Sequence, residues 1–466
     1  MRAYREQLPQ ACRRLALETA PSLAAWLPAA WIPMRNTSRI RSGSGKCEAG
    51  KKQMHRQMTA KRKQQILIVV CCLVYGFAYA GRYGYNANIA PVMEFYGVTR
   101  AEAGLVSTCF FFAYGTMQLV HGIFCRFYPK KIVIPAALFL SAALNLTVFF
   151  QPPFAAIKYL WLVNGICQSV LWPSLVLTLG ETLEPGMMKQ AVLVISLATM
   201  FGTLISYGGS ALFNLFAFFR GSFLLGAVLT VLIGLIWLFS YDRLTAVRYA
   251  APPAEETTTA KNSRQAIGGG LVGLLAACVL FAAVCNFVKD GLSTWTPVIL
   301  KERFGLGDSV SMILTLILPV FGLAGSLLAL AVNRKIRDYR LMAGVFYVGL
   351  SLCLGGLLLT FRGGGVVLTL ALLGVISCLA YAVNNVVTSM MPLEMRDRVN
   401  SGFLAGLMNS ATYIGSTASA YGLGLIADGA GWNAVILVML GASALSAVAG
   451  FLCTCAFGRK RAPAPR

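Results

Sequence analysis

The chain has 466 residues, of which 57% are hydrophobic and 12% charged, with a mean hydropathy of +0.68. Soluble domains carry about twice that share of charge, so a water-soluble globular protein is excluded and a polytopic membrane protein is implied. The formal net charge of +23 would suit a nucleic-acid partner, but residues 1–63 hold +11 of it and the remaining +12 gathers at the ends of apolar segments, where basic residues set membrane topology.

In chain order, residues 1–57 come first. They are Arg-rich, with a weak apolar patch "LAAWLPAAWIP" that Glu18 and the prolines keep from being a signal peptide. This stretch reads as a basic N-terminal extension, either disordered or upstream of a true start at Met54 or Met58. A disordered cytoplasmic tail that holds acidic lipid is the alternative. Twelve apolar segments follow, near 66–92, 103–125, 132–151, 156–180, 190–214, 222–240, 267–292, 309–332, 341–360, 366–391, 400–424 and 433–457. Each is long enough for a hydrocarbon core of about 30 Å, which takes about 20 residues. The polar stretch "YDRLTAVRYAAPPAEETTTAKNSRQA" divides them six and six. The expected domains are a six-helix bundle over 58–242, a cytoplasmic linker over 243–265 and a second six-helix bundle over 266–461. The fold class is all-α: twelve transmembrane helices in two pseudo-symmetric bundles, as in many secondary transporters.

With the N-terminus inside, cytoplasmic loops and the tail after residue 63 carry 18 Lys/Arg and the outside loops carry 6. That asymmetry places both termini in the cytoplasm of a multi-pass inner-membrane protein. Cys71, Cys72, Cys109, Cys167, Cys278 and Cys353 lie in apolar runs, where cysteine acts as a small hydrophobe. Nothing in the spacing of the thirteen cysteines suggests a disulfide framework or a metal site.

The halves echo each other. "RYG" at 82–84 matches "KDG" at 289–291, Pro91 matches Pro297, and "EFYGV" at 94–98 matches "ERFGL" at 302–306. In the fourth helix of each half, Gly165 to Trp172 and Gly374 to Tyr381 are both seven positions apart.

The first helix contains "FAYAGRYGYNANIAPV", with Arg82 inside an apolar run. An arginine at bilayer depth costs about 3 kcal/mol on insertion scales. Tyr75, Tyr79, Arg82 and Asn86 are spaced 4, 3 and 4 apart, which aligns them on one helix face. Lipid cannot satisfy such a stripe, so it must face the protein interior. Other helices repeat the pattern with Tyr114, Gln118 and His121; Gln168, Trp172 and Glu181; Asn286, Lys289 and Ser293; Tyr381, Asn384, Asn385 and Thr388; and Ser410, Tyr413 and Thr417. Most single polar residues of this kind are interhelical glue. His121 and Gln168 read as structural, Arg100, Arg126 and Arg334 as solvated loop charges, and Asp290 as neutralising Lys289 or capping a broken helix. Arg82 and Lys289 differ, because they are intramembrane cations at matching places in the two repeats. Two cations across a repeat interface suit a small anion, Arg as a planar fork of donors and Lys as a point charge. The chain has no P-loop, GxSxG, HExxH or acid–base carboxylate pair. No enzyme activity, catalytic residue, cofactor or metal is expected.

The segments "YGFAYAGRYGYNANIAP", "VTRAEAGLVSTCFFFAYG", "NGICQSVLWPS", "NFVKDGLSTWTPVILKE" and "TYIGSTASAYGLGLIADGAGW" resemble the major facilitator superfamily. Within it they resemble the organophosphate:phosphate antiporter branch, which includes the glycerol-3-phosphate and hexose-phosphate transporters. The resemblance implies that cations of the first and seventh helices grip the substrate phosphate, here Arg82 and Lys289. It implies a lining of Tyr75, Tyr79, Tyr114, Tyr381 and Tyr413. Two positions depart: a family Lys is Gln118 and a family His is Glu181. Both changes make the site less positive, which weakens a dianion more than a monoanion. Glu181 is then a candidate coupling residue. The implied activity is exchange of an organophosphate for inorganic phosphate by a monomer in a lipid bilayer. The alternatives are a proton-coupled carrier of a carboxylate such as a sugar acid, and a transporter-like sensor of an external sugar phosphate.

Overall fold

Lipid-crossing helices need an apolar outer surface, and the exterior here carries one: Phe239, Leu352, Leu359 and Val367 all stand exposed. The structure is a computed structural model that describes residues 44–246, 269–363, 365–395 and 401–457. Most of the basic extension and of the linker lies outside these residues. From Thr59 onward the chain packs as one unit. Among the described residues every regular element is helical.

Six apolar spans form the first half: Ala60–Ala87, Arg100–Phe127, Lys130–Phe149, Phe154–Thr182, Gly186–Asn214 and Gly221–Leu244. The second half begins with Val272–Phe304, Asp308–Asn333, Tyr339–Phe361 and Val366–Met390. It ends with a 51-residue stretch, Gly406–Ala456. At 1.5 Å per residue that stretch would be about 75 Å long, far beyond a single crossing. Gly431, at φ 76°, breaks it into an eleventh and a twelfth span. A positive φ is open to glycine without strain, so this residue makes the turn. The helices alternate in direction. Residues 60 and 456 share one end of the bundle, called here the terminal end, and residues 96, 100, 304 and 428 mark the far end.

The first span continues past a break into a short helix, Ile89–Tyr96. Pro91 has no N–H for the carbonyl four residues back. At the break Asn88 Nδ2 donates to the carbonyl of Gly84 at 2.8 Å. The seventh helix was expected to end near 292 but runs unbroken to Phe304 with Pro297 inside it. The two prolines that match in sequence therefore sit in different local structures.

Backbone contacts repeat across the halves. A Cβ on Gly202 would lie 2.1 Å from the carbonyl oxygen of Gly76, and one on Gly415 would lie 1.9 Å from that of Ala283. Fifth-on-first and eleventh-on-seventh packing thus use the same device. Gly165 meets the Phe110 carbonyl and Gly374 the Phe321 ring, fourth helix on second and tenth on eighth. Small residues let helices approach closely in lipid, where no hydrophobic drive brings them together.

Candidate functional site

The predicted stripe on the first span turns inward. Tyr75 and Asn86 are buried, Tyr79 is partly so, and Arg82 is 4% exposed. Tyr75 and Tyr79 rings lie 5.1 Å apart, and Tyr75 also meets Trp172 at 5.1 Å. The Arg82 guanidinium sits among aromatic rings: Tyr114 at 4.5 Å, Phe110 at 4.6 Å, Tyr79 at 4.8 Å and Tyr413 at 5.8 Å. Tyr83 and Phe111 complete the cage. Ring faces attract a cation electrostatically, by about 0.5–2 kcal/mol each, which offsets part of the burial cost. They do not accept its hydrogen bonds in the plane of the fork. Arg82 Nε and Nη1 have no hydrogen-bond partner among the described residues. Each buried donor left in this state costs about 1–3 kcal/mol.

The cage draws on both halves, since Tyr413 belongs to the eleventh span and packs its ring against Tyr114, tilted at 40° with centroids 4.8 Å apart. Toward the terminal end, Gln118 accepts from Asn409 Nδ2 at 2.6 Å, a second bond across the halves. Toward the far end, Asn86 Nδ2 donates to Thr294 Oγ1 at 2.8 Å and accepts from Ser107. One turn back from Asn86 is Arg82, and one turn back from Thr294 is Asp290. The first and seventh helices run the same way, so Arg82 and the Lys289–Asp290 pair share a layer.

Lys289 Nζ lies 3.5 Å from Asp290 Oδ1 and 5.2 Å from the Tyr381 ring centre. Asp290 is 5% exposed. Its Oδ2 accepts from Ser416 Oγ and, at 3.2 Å, from Asn286 Nδ2. Of the predicted residues, the structure thus groups Arg82, Tyr75, Tyr79, Tyr114, Tyr413, Asn86 and Gln118 along the seam, with Lys289 and Tyr381 on the second-half side.

Glu181 is not in that layer. It pairs with Lys130 at 2.6 Å, and its neighbour Thr182 accepts from Gln64. Gln64 precedes Arg82 by eighteen residues, about 27 Å along a helix. Glu181, named from sequence as a candidate coupling residue, thus stands at the terminal end and not beside the two cations. Gln168 donates to Ser141 and Asn164, and His121 meets Tyr128 near the loop; both are helix–helix or loop contacts.

Arg100 is the clearest departure. Expected to be a solvated loop charge, it bridges the halves at the far end, 2.8 Å from Glu302 and 3.0 Å from Asp428. Lys301 pairs with Glu94 beside it at 2.7 Å. Tyr83, Phe110 and Phe111 were also absent from the predicted lining. Phe110 lies one turn before Tyr114, a signal hidden by the apolar run "CFFFAYG".

The sequence signature described as Major Facilitator Superfamily matches residues 71–403. This chain belongs to that superfamily. Among curated superfamily relatives, the glycerol-3-phosphate transporter of Bacillus subtilis (strain 168) is 24% identical over 402 residues, covering 79% of this chain and 88% of its own. The probable sulfoacetate transporter of Cupriavidus necator (strain ATCC 17699) is 32% identical over 89 residues, 19% of this chain and 21% of its own. Among solved structures, an inward-facing bacterial homologue of the human lysosomal transporter Spinster superposes with a TM-score of 0.70 at 14% identity, over 86% of this chain and 99% of its own. A D-xylose–proton symporter superposes with a TM-score of 0.63 at 13% identity, over 84% and 97%. At such identities the structural matches establish the fold alone. The chain is a multi-pass membrane transporter of the Major Facilitator Superfamily and not an enzyme.

Proposed function

We propose that this protein is a secondary active transporter that moves a small organic anion by alternating access, exchanging an organophosphate for inorganic phosphate. The observation that carries the reading is Arg82: a buried guanidinium in the seam between the halves, with Nε and Nη1 unpartnered. A fork of free donors is the complement of a planar or tetrahedral oxyanion, and an Arg–oxyanion pair can be bidentate. The similarity to a glycerol-3-phosphate transporter over most of the chain supports the phosphate ester.

In this reading both termini face the cytoplasm of an inner membrane and the far end faces outward, as the basic loops require. The carrier acts as a monomer. Arg82 holds the anion from the first half; Lys289, with the Tyr381 and Tyr413 hydroxyls, holds it from the second. Binding draws the halves together across the seam, and their rocking then opens the opposite end. Counterflow into phosphate-loaded proteoliposomes, with phosphate esters and sugar acids as a panel, tests it. Phosphate esters should accelerate exchange. Acceleration by carboxylates alone would remove the antiport assignment, and ligand binding without flux would mark a sensor.

A further inference from the structure

The charges of the Arg82 layer do not cancel. Two cations enter it, Arg82 and Lys289, but they are not equivalent. Lys289 has a carboxylate 3.5 Å away, and that carboxylate belongs to the adjacent residue of the same helix. Asp290 is fixed by Ser416 from the eleventh helix and Asn286 from its own. Arg82 has no carboxylate partner among the described residues. Glu181 answers Lys130 at the terminal end. Among the described residues the layer thus holds one net positive charge, presented by the Arg82 fork inside a buried aromatic cage. In such surroundings each unmatched charge is far more costly than in water.

We infer that Asp290 is a specificity-determining residue, which sets the site to accept anions of a single net charge over dianions. The inference rests on the proposed anion site and deepens it. The substrate class is an organic monoanion: a carboxylate, a sulfonate, or a phosphate ester in its singly ionised form, which is the minor form at pH 7 because the second pKa of such an ester is about 6. A dianion leaves one charge unmatched in the bound layer; a monoanion closes the balance. Removing the Asp290 charge frees Lys289 and adds a second net positive charge, so the preference should swing toward dianions.

The test is calorimetric titration of the purified protein at pH 7.5 with two probes of similar skeleton. Glycerol 3-phosphate is there a dianion, and 2,3-dihydroxypropane-1-sulfonate is a monoanion. Wild type should bind the sulfonate at least about 10-fold tighter. Asp290→Asn, whose amide oxygen still accepts from Ser416, should shift the ratio of the two affinities by at least about 10-fold toward the phosphate ester. Asp290→Glu should keep the wild-type ratio. A wild-type preference for the dianion, binding of neither probe, or a ratio unmoved in Asp290→Asn overturns the inference. The wild-type ratio is decisive even where a variant does not fold. Counterflow on the same preparations separates the two readings: charge-selective binding without flux retains the inference and removes the transport reading, whereas flux without charge selectivity does the reverse.

Discussion

Arg82 illustrates how far a single position can be read from spacing. Its stripe with Tyr75, Tyr79 and Asn86 followed from the helical repeat, and the structure turns that stripe inward. The rings that hold the guanidinium were less legible. Phe110 and Phe111 sit in a run that any lipid-facing helix would show, and only the approach of the second helix to the first makes them a cage. Two free donors at about 1.5–3 kcal/mol each predict that Arg82→Ala weakens anion binding by roughly 10²–10⁴-fold, at 1.4 kcal/mol per factor of ten. Arg82→Lys keeps the charge and loses the fork, and should recover only part of that affinity. Substrate titration of purified protein checks both, and equal affinity for Arg82→Ala and wild type would remove the site.

At the scale of helices, the sequence repeat has a physical counterpart in the glycines. Gly202 and Gly415 are the points where backbone meets backbone in corresponding helix pairs. Overpacking a tight contact costs about 1–3 kcal/mol and can cost more where a carbonyl blocks relief. Gly202→Val and Gly415→Val should therefore lower the thermal midpoint in detergent by several degrees. Gly122→Ala, with open space around it, should leave it unchanged or raised. Differential scanning fluorimetry separates these outcomes. The shared packing was foreshadowed by the matching motifs, but the difference between Pro91 and Pro297 was not. At the break before Pro91 the Asn88 side-chain amide turns back to the Gly84 carbonyl, and whether a proline interrupts its helix is decided by such local geometry. The last two spans, separate apolar segments in the sequence, join into one helical stretch that Gly431 breaks at positive φ.

For the molecule as a whole, ion pairs close one end of the seam. Arg100–Glu302, Arg100–Asp428 and Lys301–Glu94 join the halves there. They are partly exposed, so each contributes roughly 0.2–1 kcal/mol. Arg100→Gln removes two of them and should raise the population open at the far end about 2- to 30-fold, at 1.4 kcal/mol per factor of ten. Spin labels at the exposed positions Phe95 and Val310 should then report a longer distance. Salt at 1 M, where the Debye length is about 3 Å, should move wild type the same way. A distance distribution unchanged in both experiments would mean that the pairs do not hold the halves together.

The sequence by itself determined that this is a twelve-helix membrane protein of two like halves. It also determined that an Arg and a Lys at matching places face its interior. Those conclusions follow from hydropathy, period and the cost of charge in lipid, all local properties of the chain. Which charges cancel was decided only by the tertiary structure. Arg100, Glu302 and Asp428 are hundreds of residues apart at most and become partners only when the halves meet. Glu181 and Arg82 look close in character yet lie a helix length apart. Asp290 stands beside Lys289 in the chain, but the bonds from Ser416 and Asn286 that pin its carboxylate are a matter of packing. Electrostatic balance is a sum over space, and a one-dimensional sequence lists the charges without the distances between them.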